Sequence, residues 1–228
     1  MTTLLKFITT WITTKNSVVD FKSYEEIFAR AIGQVASLED PAHDLLHFQR
    51  VVKMAKHLGE LEKARMEVVV PAAWLHDLVN VPKNDPRRSM ASRLSAQAAE
   101  KLLNDVHYPK EFISDICHAI EAHSFSANIT ARTIEAKVVQ DADRLDGLGA
   151  IGLARCFATA GIMKRSFYSK FDPFCNERTP NDLEFTVDHF FVKLFKTVDT
   201  LQTSAGRQEG QRRAQIMRQY LSDLKIEI

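Results

Sequence analysis

Val68-Val69-Val70-Pro71-Ala72-Ala73-Trp74-Leu75-His76-Asp77 ends an apolar run on two adjacent ionisable side chains. A run of this character reads as a buried element. Buried His and Asp are costly unless they are paired or bound to a metal, so the core ends on a good divalent-metal pair. At helical spacing Val69, Ala72 or Ala73, and His76 share a face. Length and alanine content favour a helix from Glu62 to about Leu78 over a buried strand at Val68 to Val70. Pro71 conflicts with that helix, because proline removes a backbone hydrogen bond and crowds the preceding turn. The helix either kinks there or restarts with Pro71 near its first position.

Upstream, a helix is expected from about Asp44 to Gly59, a natural C-terminal cap. His47, Val51, Ala55 and Leu58 form one stripe on it, so His47 faces the core. Downstream, Thr133 to about Gly147 reads as a helix with Val139 and Asp143 at i, i+4. Helical residues advance by about 100° each. Asp146 therefore lies within about 60° of Asp143, and Asp141 about 160° away. Asp143 is the inward carboxylate, Asp146 a candidate to support the site, and Asp141 belongs to another surface. Two imidazoles and two carboxylates make a mixed N/O site, which suits Mn²⁺, Fe²⁺, Ni²⁺ or Zn²⁺ rather than a thiolate-loving metal. Any one of these histidines alone would read as an ordinary core or surface histidine.

The other segments are read in the same way. Ser23-Tyr24-Glu25-Glu26 is a capping box that should open a helix through about Ser37. Lys83, Arg87 and Arg88 stand in a breaker-rich loop just after the His76-Asp77 pair. They are a solvated loop or, as partners for phosphate oxygens, a phosphate clamp. A helix from Ser89 or Ser92 to Asn104 should carry Leu94, Ala98, Lys101 and Leu102 on one side. Pro109 opens another helix, with Ile113, Ile116, Ile120 and His123 on its apolar face and His118 on a neighbouring strip. These two histidines are capped core residues, or contacts to substrate phosphate or a second metal; Asp77 is placed to bridge two ions, with His43, His118 and His123 around the second. His57 is a surface residue. Residues 161 to 180 form a long loop that is a candidate cover for the site. Asp182 to Leu201 reads as an amphipathic helix with Phe185, His189, Val192 and Phe195 inward. Ala205 to Lys225 is a charged helix whose arginines form a solvated face. No strand pattern emerges, so the expected fold class is all-α: residues 1–22 an arm or short helix, and 23–228 one helical domain.

The ordered set resembles the HD-domain superfamily of metal-dependent phosphohydrolases. Its signature is an early His, a His-Asp pair after an apolar helix, and a later Asp in an Ala-Asp segment. These fall on His47, His76, Asp77 and Asp143. Ala42-His43-Asp44, Pro82-Lys83-Asn84-Asp85-Pro86, Ala122-His123-Ser124-Phe125-Ser126 and Gln140-Asp141-Ala142-Asp143-Arg144-Leu145 look like a bacterial subgroup, the YedJ-type proteins. The likeness spans about residues 40 to 200. It implies an HD-like helical bundle with a divalent metal in its core, Mn²⁺ first, with Mg²⁺, Ni²⁺, Fe²⁺, Zn²⁺ and Co²⁺ open. It implies His47, His76, Asp77 and Asp143 as ligands, and catalytic roles for Asp77, His76, Lys83, Arg87 and His123. The implied substrate is a small phosphorylated molecule, a nucleotide above all.

Composition sets the bounds. The chain has 228 residues, a net charge of +1, 45% hydrophobic and 26% charged residues. That length buries roughly 70% of the unfolded surface without staples. The charge gives no global case for a nucleic-acid polymer or an acidic membrane. Cys117, Cys156 and Cys175 form no CxxC, which fits a reducing cytoplasm. No apolar run approaches a membrane span, and no signal peptide is read at the N-terminus. There is no Gly-rich phosphate loop, no G-x-S-x-G elbow and no Cys–His nucleophile pattern, so a metal-activated water is the natural nucleophile. The competing reading is a regulatory module that keeps metal and nucleotide affinity without turnover. A helical interaction protein with coincidental His and Asp is the third. Oligomeric state is open.

Overall fold

The computed structural model describes residues 21–35, 44–81 and 85–228, and these form an all-α bundle. The helices are α1 (Phe21–Val35), α2 (Leu45–Leu61), α3 (Met66–Leu75), α4 (Ala91–Asp105), α5 (Lys110–His123), α6 (Ile134–Asp146), α7 (Gly149–Ile162), α8 (Phe195–Asp199) and α9 (Ser204–Glu227). A 3₁₀ turn, Pro86–Met90, precedes α4, and a π-helical segment, Phe190–Leu194, runs into α8. Among the described residues the only β pairing is an isolated bridge between Ser166 and Phe185. No single helix there is long and apolar enough to cross a membrane.

α6 is the centre of the bundle and touches α2, α3, α5, α7 and α9. One apolar cluster runs from Phe28 and Ile32 of α1, through Val51 of α2 and Val139 of α6, to Met217 of α9. α3 lies inside it, with every residue from Val68 to Leu75 buried. That explains a helix apolar on all sides.

Pro71 sits in the interior of α3, the sixth of its ten residues, so the helix does not restart with Pro71 near its first position. A proline there leaves the carbonyl four residues back without its donor, and that carbonyl is Glu67 O. The buried Tyr108 hydroxyl donates to it at 2.7 Å. A side chain from the α4–α5 turn thus replaces the missing backbone bond, and α3 continues to Leu75.

Several expected boundaries move. α1 already runs at Phe21, so Ser23 lies inside the helix and does not cap it. α2 passes Gly59 and ends at Leu61, with Lys63 at φ 55 supplying the left-handed turn. A Cβ at Gly59 would sit 3.0 Å from Met66 Cε, the flexible end of that side chain. α4 buries Ser92, Ser95, Ala96, Ala99 and Leu103, one position on from the expected stripe. Ser95 can face inward because its Oγ accepts the Val79 amide at 3.1 Å. The largest correction is at Asp182 to Leu201, where helix begins only at Asp188. Thr186 N and Val187 N donate to Ser166 O and Phe167 O, each at 2.9 Å, so the backbone groups needed for an earlier helix are taken. The fully buried Asp188 receives both Arg178 Nη atoms (2.5 and 2.7 Å) and Asn181 N (2.6 Å). The buried face there is Phe190, Leu194 and Val198, rather than Phe185, His189, Val192 and Phe195.

Candidate metal centre

Four helices deliver the site. Asp44 caps α2 by accepting the His47 amide at 2.7 Å. The second His-Asp dipeptide, His43-Asp44, therefore contributes a cap through Asp44. This cap fixes His47 in the first turn of α2, facing inward and 1% exposed. His76 directly follows the last residue of α3, and His123 is the last residue of α5. Both use one device. The Nδ1 of His76 donates to Ala73 O at 2.9 Å, and the Nδ1 of His123 to Ile120 O at 2.6 Å. A carbonyl oxygen only accepts, so each Nδ1 carries the proton, and each imidazole satisfies a carbonyl left over at a helix end. His47 reaches the same state through a carboxylate, with Nδ1 2.8 Å from Asp146 Oδ2.

The opposite nitrogens then converge. His47 Nε2 is 3.6 Å from Asp143 Oδ1, and His76 Nε2 is 3.8 Å from the same oxygen. His76 Nε2 is also 3.9 Å from Asp77 Oδ2, while His123 Nε2 is 3.5 Å from Asp77 Oδ1. Two overlapping triads result: His47, His76 and Asp143, and His76, Asp77 and His123, each with ligand atoms within 4.8 Å of one another. The imidazoles are buried behind, whereas Asp77 and Asp143 keep 24% and 29% of their side-chain surface exposed. The donor set is therefore walled on one side and open to solvent on the other.

Electrostatics follow from this layout. Burial drives the His76 pKa down to about 4, so its imidazole is neutral. Burial also works against a charge on His123, but the facing Asp77 carboxylate outweighs it and holds the pKa at about 9. Asp143 stays below the ordinary carboxylate range: burial opposes its charge, and His76, His47 and His123 around it prevail. His76 Nε2 is a buried nitrogen without a hydrogen-bond partner among the described residues. A bare, buried imidazole lone pair facing two carboxylates is costly in a dry core and is what a borderline divalent cation requires. The residues fit a metal.

Behind the triads, Asp146 is held by more than His47. Arg50 donates from Nε (2.6 Å) and Nη2 (3.0 Å), and Arg155 from Nη1. Sequence reading missed both arginines. Arg50 carries a weak signal, one turn after His47 on the same helix; Arg155 arrives from α7 and carries none. Asp141 faces away, accepting Gln202 N (2.9 Å), Thr203 N (2.7 Å) and Thr203 Oγ1 (2.7 Å) at the start of α9.

The other candidates among the described residues stand outside the two triads. Arg87 is exposed and forks onto Asp85 at 2.8 and 3.1 Å. Arg88 donates to Val81 O at 2.7 Å. His118 Nε2 accepts the Arg132 amide at 3.1 Å and belongs to neither triad. Lys83 and His43 lie outside the described residues, as does most of the expected N-terminal arm.

The HD domain family matches residues 45–148. That span holds His47, His76, Asp77, His123 and Asp143. YpgQ of Bacillus subtilis is 34% identical over 194 residues, covering 83% of this chain and 86% of YpgQ. The chain belongs to the HD superfamily. A crystal structure of an HD-superfamily hydrolase from Bacillus thuringiensis superposes with a TM-score of 0.71 at 30% identity, covering 90% of this chain and 97% of that one. The crystal structure of YpgQ in complex with ADP superposes with a TM-score of 0.67 at 33% identity, covering 88% and 97%.

Proposed function

We propose that this HD protein is a metal-dependent phosphohydrolase that cleaves nucleotide phosphate ester or anhydride bonds. The observation that carries the reading is the pair of overlapping His/Asp triads, buried at the imidazoles and open at the carboxylates. His47, His76, Asp77 and Asp143 would hold the ion, Mn²⁺ in first place. When bound, such an ion lowers the pKa of its water toward neutrality and draws charge from a phosphoryl oxygen.

This chain's own residues do the rest. Asp146 and the Ala73 carbonyl hold His47 and His76 as Nδ1–H tautomers, so their Nε2 lone pairs stay available. His123, held at its Nδ1 by Ile120 O, presents Nε2 beside Asp77 and can donate it to a phosphate oxygen. Arg87 reaches a phosphate only by leaving Asp85, a fork made in solvent and of low cost. Lys83, four residues before Arg87 in the sequence, is the second proposed phosphate partner. The relative YpgQ in complex with ADP supports a nucleotide as the ligand class. The three free cysteines fit a reducing compartment, and the cytoplasm is proposed on that ground.

The test is turnover of a panel of nucleoside mono-, di- and triphosphates with Mn²⁺, for wild type, Asp77→Ala and Lys83→Ala. Wild type should release phosphate or pyrophosphate. Asp77→Ala should lose both metal and activity, and Lys83→Ala should keep metal and lose rate. A wild type that binds Mn²⁺ and nucleotide but turns over nothing makes this a binding module.

A further inference from the structure

A groove of about 500 Å³ lies behind the triads, walled by α2, the α6–α7 turn and α9. That is the size of a small-molecule site. Arg50, Lys53 and His57 face it from α2, and Arg212 and Arg213 from α9. Asp146 and Glu209 are its only carboxylates among the described residues. Both are already engaged: Asp146 by His47, Arg50 and Arg155, and Glu209 by Arg212 and Arg213 at 2.7 Å. Lys53 and His57 make no ion pair among the described residues. Four permanent cations therefore face two carboxylates, and the groove is cationic. Met54, Leu148, Ile151 and Ile216 add an apolar floor.

The groove is built rather than incidental. Gly149 turns the chain from α6 into α7 at φ +70, and a Cβ there would meet Arg213 Cγ at 3.0 Å. With glycine, Arg213 lies across the turn and its Nη1 donates to Leu145 O at 2.5 Å. A cationic rim over an apolar floor suits an anion that carries a flat or apolar body, since guanidinium and ammonium groups pair with phosphate oxygens.

We propose that this groove is a second binding site, for a phosphorylated small molecule of nucleotide size, distinct from the triads and coupled to them. Arg50 Nε and Nη2 hold Asp146, and Asp146 Oδ2 holds His47 Nδ1. An anion that draws Arg50 into the groove loosens the carboxylate that orients His47. Binding in the groove needs neither hydrolysis nor metal at the triads; only the coupling passes through His47.

The test uses full-length protein freed of metal by chelator, with ADP as the probe and pyrophosphate and adenosine as separate arms. Calorimetry should show ADP binding to wild type and to Asp77→Asn alike. Lys53→Glu combined with Arg212→Glu should weaken it by about tenfold or more, and Lys53→Ala alone by less, with unchanged helix content and melting. Pyrophosphate should bind with the same dependence on Lys53 and Arg212, and more weakly than ADP. The side-chain nitrogen signal of His47, identified by its loss in His47→Gln, should shift on ADP addition in wild type and stay fixed in the groove variant. No ADP binding without metal, or equal binding after charge reversal, overturns the second site. Adenosine binding as tightly as ADP overturns the phosphate assignment, and an unmoved His47 signal overturns the coupling. Absent turnover in the nucleotide panel, with ADP binding intact here, would overturn the hydrolase reading alone.

Discussion

Asp146 is where the design behind the ligands can be weighed. Four hydrogen bonds converge on it: one from His47 Nδ1, two from Arg50 and one from Arg155. Asp146→Asn can place its amide oxygen where Oδ2 stands, keeping His47, Arg50 Nη2 and Arg155. It then loses the bond from Arg50 Nε and the charge that strengthens the other three, for at least about 1.5–3 kcal/mol of stability. Asp146→Ala loses all four. Arg50 and Arg155 keep 31% and 23% of their side chains exposed and can turn to water, so the gross sum does not apply. His47 cannot turn, being 1% exposed. Removing the acceptor of its Nδ1–H inside the core costs about 1–3 kcal/mol. The alanine variant also frees the His47 tautomer, and loss of such an outer partner weakens metal binding by about 10–100-fold. The expected order of Mn²⁺ affinity is wild type, then Asn, then Ala, measured by calorimetry beside urea unfolding of the metal-free proteins. Burial disfavours a charged Asp146, but His47 and Arg50 overcome it and hold its carboxyl far below the usual range. A depressed carboxyl stabilises above the unfolded value of about 3.9 and loses that contribution as pH falls below it. The gap between wild type and Ala should therefore narrow in acid. Unchanged Mn²⁺ affinity in Asp146→Ala would refute the claim that this carboxylate prepares His47 for a metal.

Further outcomes are expected. Tyr108→Phe leaves the Glu67 carbonyl without its donor and should cost about 1–3 kcal/mol in urea unfolding; Pro71→Ala should recover part of that in the Phe background and little in wild type. Asp141→Asn should lower stability through the start of α9 while leaving Mn²⁺ affinity intact, whereas Asp143→Asn should strip the metal. In metal-free protein, the raised pKa of His123 contributes stability that is full below about 6.5 and lost as pH rises to about 9. Melting temperatures between those values should fall in wild type and flatten in His123→Asn.

Much of this architecture is legible in the sequence because it follows from helical period. The stripe His47, Val51, Ala55 and Leu58 is buried as the spacing requires. The phase of α6 separates Asp143 from Asp141 and puts Asp146 beside it, and the structure has these three carboxylates in those places. What was illegible depends on distant partners. Nothing near Pro71 announces that Tyr108 would supply its missing hydrogen bond. Arg155 reaches Asp146 only because the chain bends by 60° between α6 and α7. The late start of helix at Asp188 depends on Arg178 and Ser166, whose pairing leaves no period in the sequence. His123 was legible as the end of an apolar face, but whether it capped its helix or joined the site was not. Its Nδ1 caps the helix and its Nε2 faces Asp77.

The central claim is that the triads form a metal site, and anomalous diffraction from crystals grown with Mn²⁺ tests it most directly. The account predicts an anomalous peak within about 2.0–2.3 Å of His47 Nε2, His76 Nε2 and an Asp143 oxygen, with Asp77 completing the protein ligands. Fully occupied Mn²⁺ elsewhere on the protein, with the three imidazoles and two carboxylates still facing one another without it, would contradict the account.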